Sequence, residues 1–324
     1  MPRCPAVTSV AESWFPMLAV QYHRYGGSEV LGVEEIEEPH AGPGQVRIAV
    51  RATGVTPADW YLRSGRLRSV VTVEFPHVPG MDAAGIVDEV GAGVTGTAVG
   101  DAVFGLVPFL DQGGAAAQYA VLEAWAAKPR SWSFEEAGGA AGNIDSATRV
   151  LEALGAAEGM TLLIDGAAGG VGTITAQLAR ARGLTVIGTA SERNHGFLDR
   201  LGVVPVTYGP GLAQRLAPLA PPGVDVALDA AGKGSLAELV AIVGDPHRVV
   251  TIADFDADRH GVRFSRSEAG ESPGRAGLPL AADLADRGLL TVPLHAVFPL
   301  QEAAAAHDVS ATGHARGKIV ITVP

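Results

Sequence analysis

The sequence predicts an α/β protein in two parts, a β-rich part followed by a doubly wound parallel sheet, and three observations carry that prediction. Short apolar segments punctuated by Gly and Pro run through the first third, as at His40-Ala41-Gly42-Pro43-Gly44 and Gly91-Ala92-Gly93, the pattern of strands joined by turns. From about Gly138 the rhythm changes: helical stretches of about 10–15 residues alternate with short apolar strands, the pattern of βαβ units. Within that second part, Ile164-Asp165-Gly166-Ala167-Ala168-Gly169-Gly170-Val171-Gly172 follows the apolar run Met160 to Ile164. It opens a segment, Thr173 to Arg182, that places Ile174, Leu178 and Ala181 on one helix face.

Taken in order, strands are expected near Leu18–Tyr22, Gln45–Thr53, Ala84–Val90, Ala102–Leu106 and Gln118–Val121. Five parallel strands follow at Thr161–Asp165, Thr185–Thr189, Val203–Thr207, Asp225–Asp229 and Arg248–Ile252. Arg259 to Gly277 is polar and rich in Gly and Ser, hence a loop. Leu289–Leu294 reads as a strand at a sheet edge, Leu300–Val309 as a helix and Lys318–Val323 as a last strand.

The 324 residues suffice for two domains and a large core. With 47% hydrophobic and 18% charged residues, the chain is not of the disordered class. A formal net charge of -11 argues against a sequence-independent grip on nucleic acid or on an anionic membrane, and no apolar run has the length of a membrane span. Met1 to Pro16 contains Glu12 and lacks a continuous apolar core; it reads as a flexible tail rather than a signal peptide. The single cysteine, Cys4, lies in it, which leaves no intrachain disulfide. A cytoplasmic protein is expected.

A strand, a glycine turn and a helix together let backbone approach a diphosphate, which the free N–H groups and the dipole of the helix then hold. The plainer reading of Ala168, Gly169, Gly170, Val171 and Gly172 is a tight turn. The next strand favours the cofactor reading. Where an NAD site has an acid for the ribose, Leu184–Thr189 is followed by Ala190-Ser191-Glu192-Arg193-Asn194. Ser191 can donate to a 2′-phosphate and Arg193 offers a planar charged fork, with Glu192 between them as a contrary charge. NADPH is the expected cofactor.

Several ordered motifs resemble those of zinc-independent medium-chain dehydrogenases/reductases, in the quinone oxidoreductase and polyketide enoyl reductase branch. They are Ala19-Val20-Gln21-Tyr22-His23-Arg24-Tyr25-Gly26-Gly27, Gly54-Val55-Thr56-Pro57-Ala58-Asp59-Trp60-Tyr61 and Val78-Pro79-Gly80-Met81-Asp82 with Gly85-Ile86-Val87. Val99-Gly100-Asp101-Ala102-Val103-Phe104-Gly105, the glycine turn and Gly313-His314-Ala315-Arg316-Gly317-Lys318-Ile319-Val320 complete the set. The resemblance implies a GroES-like catalytic domain built from residues 1–137 and 278–324, and a Rossmann cofactor domain over 138–277, with the active site between them. It also implies a homodimer paired across a cofactor-sheet edge, and Leu289–Leu294 is the candidate edge.

Against zinc-dependent relatives, Thr56 stands where they carry Cys, and Gly80-Met81-Asp82 where they carry Gly-His-Glu. A catalytic zinc site needs about three protein ligands, and a four-cysteine lobe is impossible with one Cys. His77 reads as a loop residue rather than a ligand. Without a Lewis acid, simple alcohol oxidation loses its alkoxide stabilisation, but an enone, an enoyl group or a quinone can still accept hydride.

Thr56, Asp59 and Tyr61 match the family's substrate-facing segment. Tyr61 is the candidate donor of a hydrogen bond or proton, or else a wall residue. Thr56, replacing the Asn common in quinone oxidoreductases, is a candidate for bonding nicotinamide or substrate. Asp59 either positions Tyr61 or a water, or caps a helix. Ser146 matches a Thr near the nicotinamide or the phosphates, with Asn143 and Asp145 as unusual polar neighbours. Asp229-Ala230-Ala231-Gly232 and Thr251-Ile252-Ala253-Asp254 end strands that face the cofactor, which nominates Ala231, Gly232, Ile252 and Ala253. Tyr208 is a candidate for packing on adenosine and Lys318 for reaching the phosphates; each also has a structural reading. The activity expected is NADPH-dependent reduction of an activated C=C bond or a quinone, in a polyketide tailoring role, on a small hydrophobic substrate. A lyase or cyclase on the same fold and a non-catalytic NADPH-binding protein are the alternatives.

Overall fold

The computed structural model describes residues 16–110, 113–266 and 276–324; the expected tail with Cys4 lies outside them except for Pro16, which begins the first strand. Strand β1 (Pro16–Gln21) pairs antiparallel with β2 (Gly32–Glu37). The sequence reading missed β2 because Glu34, Glu35 and Glu37 mask its alternation, and acidic residues are poor strand formers. Then come β3 (Val46–Val55), helix α1 (Pro57–Arg63), β4 (Asp82–Val90), β5 (Ala102–Leu106), β6 (Tyr119–Leu122) and β7 (Ala124–Ala127). Helix α2 (Phe134–Gly138) starts at a capping box in which the Ser133 and Glu136 side chains each bond the other residue's backbone N–H. It leads into α3 (Ala141–Ala153).

The second part contains β8 (Thr161–Asp165), α4 (Gly170–Ala181), β9 (Thr185–Thr189), α5 (His195–Arg200), β10 (Val204–Val206) and α6 (Leu212–Leu216). It continues through β11 (Val226–Asp229), α7 (Leu236–Val243), β12 (Val249–Thr251) and β13 (Arg263–Phe264). Leu162, Leu163 and Ile164 are fully buried, as befits a strand covered on both faces. On α4, Ile174 and Leu178 face the core as expected, but Ala181, the last residue of the helix, is exposed.

After residue 275 the described chain resumes with α8 (Gly277–Asp286), β14 (Leu294–Pro299), α9 (Ala303–Ala311) and β15 (Lys318–Thr322). Two large sheets result. The first runs β14-β15-β3-β4-β5-β7, with β6 paired to β3, so strands from both ends of the chain share it. The second is parallel throughout and runs β10-β9-β8-β11-β12-β13. This doubly wound order opens a crevice between the carboxyl ends of β8 and β11, where the strand order reverses.

Two expectations need correction. The stretch read as a loop over 259–277 contributes β13, a sixth strand, in its first residues; its remainder over 267–275 lies outside the described residues. Leu289–Leu294 is not a strand at a cofactor-sheet edge. Strand β14 begins only at Leu294 and pairs with β15 in the other sheet. Leu290 and Val292 are buried because Gln177 holds the segment: its amide donates to the Thr291 carbonyl and accepts from the Thr291 N–H. Among the described residues, the ends of the cofactor sheet are β10 and β13.

Candidate active site

The crest of the parallel sheet is built mostly from backbone. Gly169 caps α4 with no side-chain bond, so the first-turn N–H groups stay available to an anion. Gly172 is required by close approach: a Cβ there would lie 2.5 Å from the Gly166 carbonyl oxygen and 2.8 Å from the Ala167 Cα. The Gly317 N–H donates to the Ala168 carbonyl at 2.9 Å, which brings the C-terminal motif against the turn. A Cβ on Gly170 would meet the Asn143 amide at 2.9 Å, so α3 also borders it. These features fit a dinucleotide diphosphate.

Neighbouring strand tips are tied in pairs. Asp165, at the end of β8, accepts hydrogen bonds from the Thr189 hydroxyl and, at 2.6 Å, from the Ser235 hydroxyl. Thr189 in turn accepts from the Gly166 N–H. At the end of β11, Asp229 accepts from the N–H groups of Ala231 and Gly232 at 2.9 and 2.8 Å, and from the Thr251 hydroxyl at 2.8 Å. Burial still raises the Asp229 carboxyl above its usual range, against these bonds.

The structure thus gathers Ala168, Gly169, Gly170, Val171, Gly172, Ala231, Gly232, Ile252 and Ala253 along one crest. Gly166 packs on Ala231, and a Cβ on Gly232 would meet the Ala253 carbonyl. Ser191 is half-buried beside exposed Arg193, for which no bond is found among the described residues; Asn194 donates to the Ser191 hydroxyl at 3.3 Å. Tyr208 is exposed at the mouth of β10.

Lys318 does something else. It is 3% exposed, its ammonium lies 3.7 Å from the equally buried Asp82 carboxylate, and so it does not project to the phosphates. Its side chain turns inward past Gly54 and Gly139, where a Cβ would collide with it. Asp82 also accepts from the Gly142 N–H at 2.9 Å. Burial raises its carboxyl above the normal range, with the Lys318 charge opposing.

On the facing wall, Thr56 caps α1. Its N–H donates to Asp59 Oδ2 at 2.7 Å and its hydroxyl to the same oxygen at 2.8 Å, while Asp59 Oδ1 accepts from the Gly80 N–H at 3.0 Å. Of the two readings of Asp59 the structure therefore supports the cap; the carboxylate is taken up by Thr56 and Gly80 and does not position Tyr61. Tyr61 is half-buried and packs on Trp60 with centroids 4.1 Å apart and planes tilted at 40°. Ser146 accepts from Arg149 at 3.3 Å, and Arg149 also donates to Asp145 at 3.3 Å and to Ser265 at 3.0 Å, tying α3 to the end of β13.

Sequence reasoning passed over Asp165, Trp60, Arg149, Phe255 and Ser265. The strand-tip pairs leave a signal, an Asp ending β8 and β11 and a Thr ending β9 and β12; the aromatic and Arg149 contacts have none, because they join distant elements.

A zinc ion does not fit the position suggested by zinc-dependent relatives. Thr56 and Met81 lie together, hydroxyl to thioether at 3.5 Å, and Asp82 is committed to Lys318. Among the described residues no three His, Cys, Asp or Glu side chains converge. His77 is buried against the Tyr22 ring at 5.4 Å, and burial lowers its pKa.

Residues 42–130 match the family described as alcohol dehydrogenase GroES-like domain, and residues 204–321 that described as zinc-binding dehydrogenase. A quinone oxidoreductase of Sus scrofa is 30% identical over 94% of this chain and 97% of its own length. The pikromycin polyketide synthase component PikAII of Streptomyces venezuelae is 32% identical over 92% of this chain, which is 8% of that protein. Among solved structures, a mycobacterial protein complexed with NADPH superposes with a TM-score of 0.79 at 25% identity, covering 94% of this chain and 99% of that one. With this sequence relationship along nearly its whole length and the two-sheet architecture, the chain belongs to the medium-chain dehydrogenase/reductase family, in its quinone oxidoreductase branch.

Proposed function

We propose that the protein is an NADPH-dependent reductase that transfers hydride to an activated C=C bond or to a quinone. One observation carries this reading: the glycine crest leaves the α4 N-terminus without a side-chain cap, the Tyr61 phenol stands against Phe255 just beyond β12, and among the described residues no three metal-ligating side chains converge. The cofactor domain is taken as residues 138–277 and the catalytic domain as 1–137 with 278–324; a cytoplasmic location is carried over from the composition and a homodimer from the resemblance.

Residues 168–172 hold the diphosphate, Ser191 and Arg193 the 2′-phosphate, and Tyr208 the adenosine. Thr189 does not stand in for the ribose-binding acid, because it is fully buried and tied to Asp165 and Gly166. Ala231, Gly232, Ile252, Ala253 and Ser146 border the nicotinamide end. When bound, the cofactor supplies hydride.

Because the Thr56 hydroxyl proton is committed to Asp59, Thr56 offers lone pairs only. It accepts from a carboxamide N–H and cannot stabilise an oxyanion. That role falls to Tyr61, whose hydroxyl makes no bond among the described residues; it donates to the acceptor oxygen and delivers the proton. The resemblance to polyketide enoyl reductases extends the acceptor class to enoyl groups, and the similarity to a polyketide synthase component supports that extension.

Following NADPH absorbance with a panel of quinones and enones tests the reading. Oxidation with at least one class is expected. Tyr61→Phe should lower kcat by about 10²–10³, the usual loss for one oxyanion donor, with the NADPH KM unchanged. Tight NADPH binding without oxidation by any acceptor would overturn the reductase, and full activity in the Phe variant would overturn the role of Tyr61.

A further inference from the structure

Helix α3 runs along one half of the crest. Near its start, a Cβ on Gly170 would lie 2.9 Å from the Asn143 amide, which puts this end of α3 beside the glycine turn that follows β8. Six residues on, Arg149 donates to the Ser265 hydroxyl at 3.0 Å. The Ser265 N–H in turn donates at 2.8 Å to the carbonyl of Thr251, the last residue of β12. The helix therefore leads over about 9 Å from the diphosphate turn towards the tip of β12. Ser191 and Arg193 follow β9, on the other side of β8. A dinucleotide with its 2′-phosphate there has its nicotinamide end beside this stretch of α3.

Between those two ends, Gly142 and Ser146 lie one turn apart on the same face of α3 and are half-buried among fully buried neighbours. Gly142 connects this face to the opposite wall. Its N–H donates to Asp82 at 2.9 Å, and the thioether of the preceding residue, Met81, lies 3.5 Å from Thr56 Oγ1. Met81 and Thr56 are half-buried as well. Thr56, Met81, Gly142 and Ser146 thus follow one another across the cleft.

The two hydroxyls in this row have opposite polarity. The Thr56 proton goes to Asp59 at 2.8 Å, so its oxygen can only accept. The Ser146 oxygen already accepts from Arg149 at 3.3 Å. Its proton has no acceptor among the described residues, not even the Gly142 carbonyl one turn back, the common partner of a serine within a helix. Ser146 is left to donate. A primary carboxamide presents the matching pair, N–H donors and a carbonyl acceptor on one carbon. We propose that Ser146 donates to the carboxamide oxygen of the nicotinamide while Thr56 accepts from its nitrogen, so that two hydroxyls of fixed polarity read the amide from both ends. Both bonds lie near the amide plane, which leaves the ring face turned to the acceptor uncovered. The pair rests on the cofactor reading above and not on the identity of the acceptor.

Two cofactor analogues remove one end of the amide each. The 3-acetylpyridine analogue of NADP⁺ keeps the carbonyl and lacks the N–H groups. The thionicotinamide analogue keeps the N–H groups but offers sulfur, a weak acceptor. Calorimetric titration of the parent should show each analogue binding roughly fivefold more weakly than NADP⁺, the usual loss for one hydrogen bond. Ser146→Ala should abolish the penalty of the thionicotinamide analogue and keep that of the acetylpyridine analogue. Thr56→Val should do the reverse, and Thr56→Ser should keep both. Ser146→Ala decides alone should Thr56→Val fail to fold. Equal binding of all three ligands by the parent, or penalties that Ser146→Ala leaves unchanged, overturns the pair while leaving the cofactor reading standing. Failure of NADP⁺ itself to bind overturns the cofactor reading and the pair with it.

Discussion

The two walls of the cleft hold the buried acids at their strand ends by different means. On the cofactor wall, Asp165 and Asp229 are met by neutral donors, the hydroxyls of Thr189, Ser235 and Thr251 and the N–H groups of Ala231 and Gly232. On the acceptor wall, Asp82 faces the Lys318 ammonium. Behind α1, His307 is buried within reach of the charges of Asp59, Arg63 and Asp308. Neutral donors fix geometry without a partner charge. Charge pairing makes one wall conditional on its partners and on pH.

The largest test breaks the pair that closes the acceptor wall. Asp82→Ala leaves the Lys318 ammonium buried without its counter-charge, and removing one partner of such a pair costs about 3–5 kcal/mol. Urea unfolding should show that loss. The double variant Asp82→Leu with Lys318→Met should recover most of it, because a buried pair replaced by apolar groups is often neutral in stability. A single variant as stable as the parent would show that the pair is not what compensates Lys318.

The next test uses pH. Burial pushes His307 down to about 4 from an ordinary 6.5, with Asp59 opposing most and Arg63 reinforcing. Between these values the unfolded chain binds a proton that the folded chain refuses, so stability rises with pH. It is fully present above about 6.5 and declines as pH falls towards 4, by about 3 kcal/mol in all. Burial shifts His77 in the same direction. Thermal unfolding of the parent from pH 7 to pH 4.5 should show the decline, and His307→Gln should flatten part of it. Identical slopes in the two proteins would remove His307 from the account.

The same contrast explains what the sequence made legible. A wall built from backbone needs glycine where a Cβ would collide, as at Gly172, and strand tips of fixed period, so the crest could be read residue by residue. The capping box of Asp59 is also local, and was one of its two readings. Pairing of Lys318 with Asp82 joins strands from opposite ends of the chain, and nothing local distinguishes that lysine from a phosphate-binding one. Tyr61 with Phe255 and Arg149 with Ser265 likewise depend on how the two sheets face each other. Leu289–Leu294 misled for a related reason: Leu290 and Val292 are buried by packing and by Gln177 rather than by strand pairing, and apolar spacing does not separate the two.

The smallest expected effect concerns the charge that selects the cofactor. Arg193 is exposed just beyond β9, near strand-tip acids that are met by neutral groups. If it meets a 2′-phosphate, Arg193→Ala removes a charge-assisted contact worth about 1.5–3 kcal/mol and weakens NADPH binding roughly tenfold or more. NADH lacks that phosphate and should bind the parent and the variant alike. Being exposed, the contact is also screened, so added salt should weaken NADPH binding by the parent more than by the variant. Calorimetric titration of the two proteins with the two cofactors at two salt concentrations measures all of this. Equal losses for NADPH and NADH would assign Arg193 to the fold of the turn, and equal parental affinity for both cofactors would remove the preference itself.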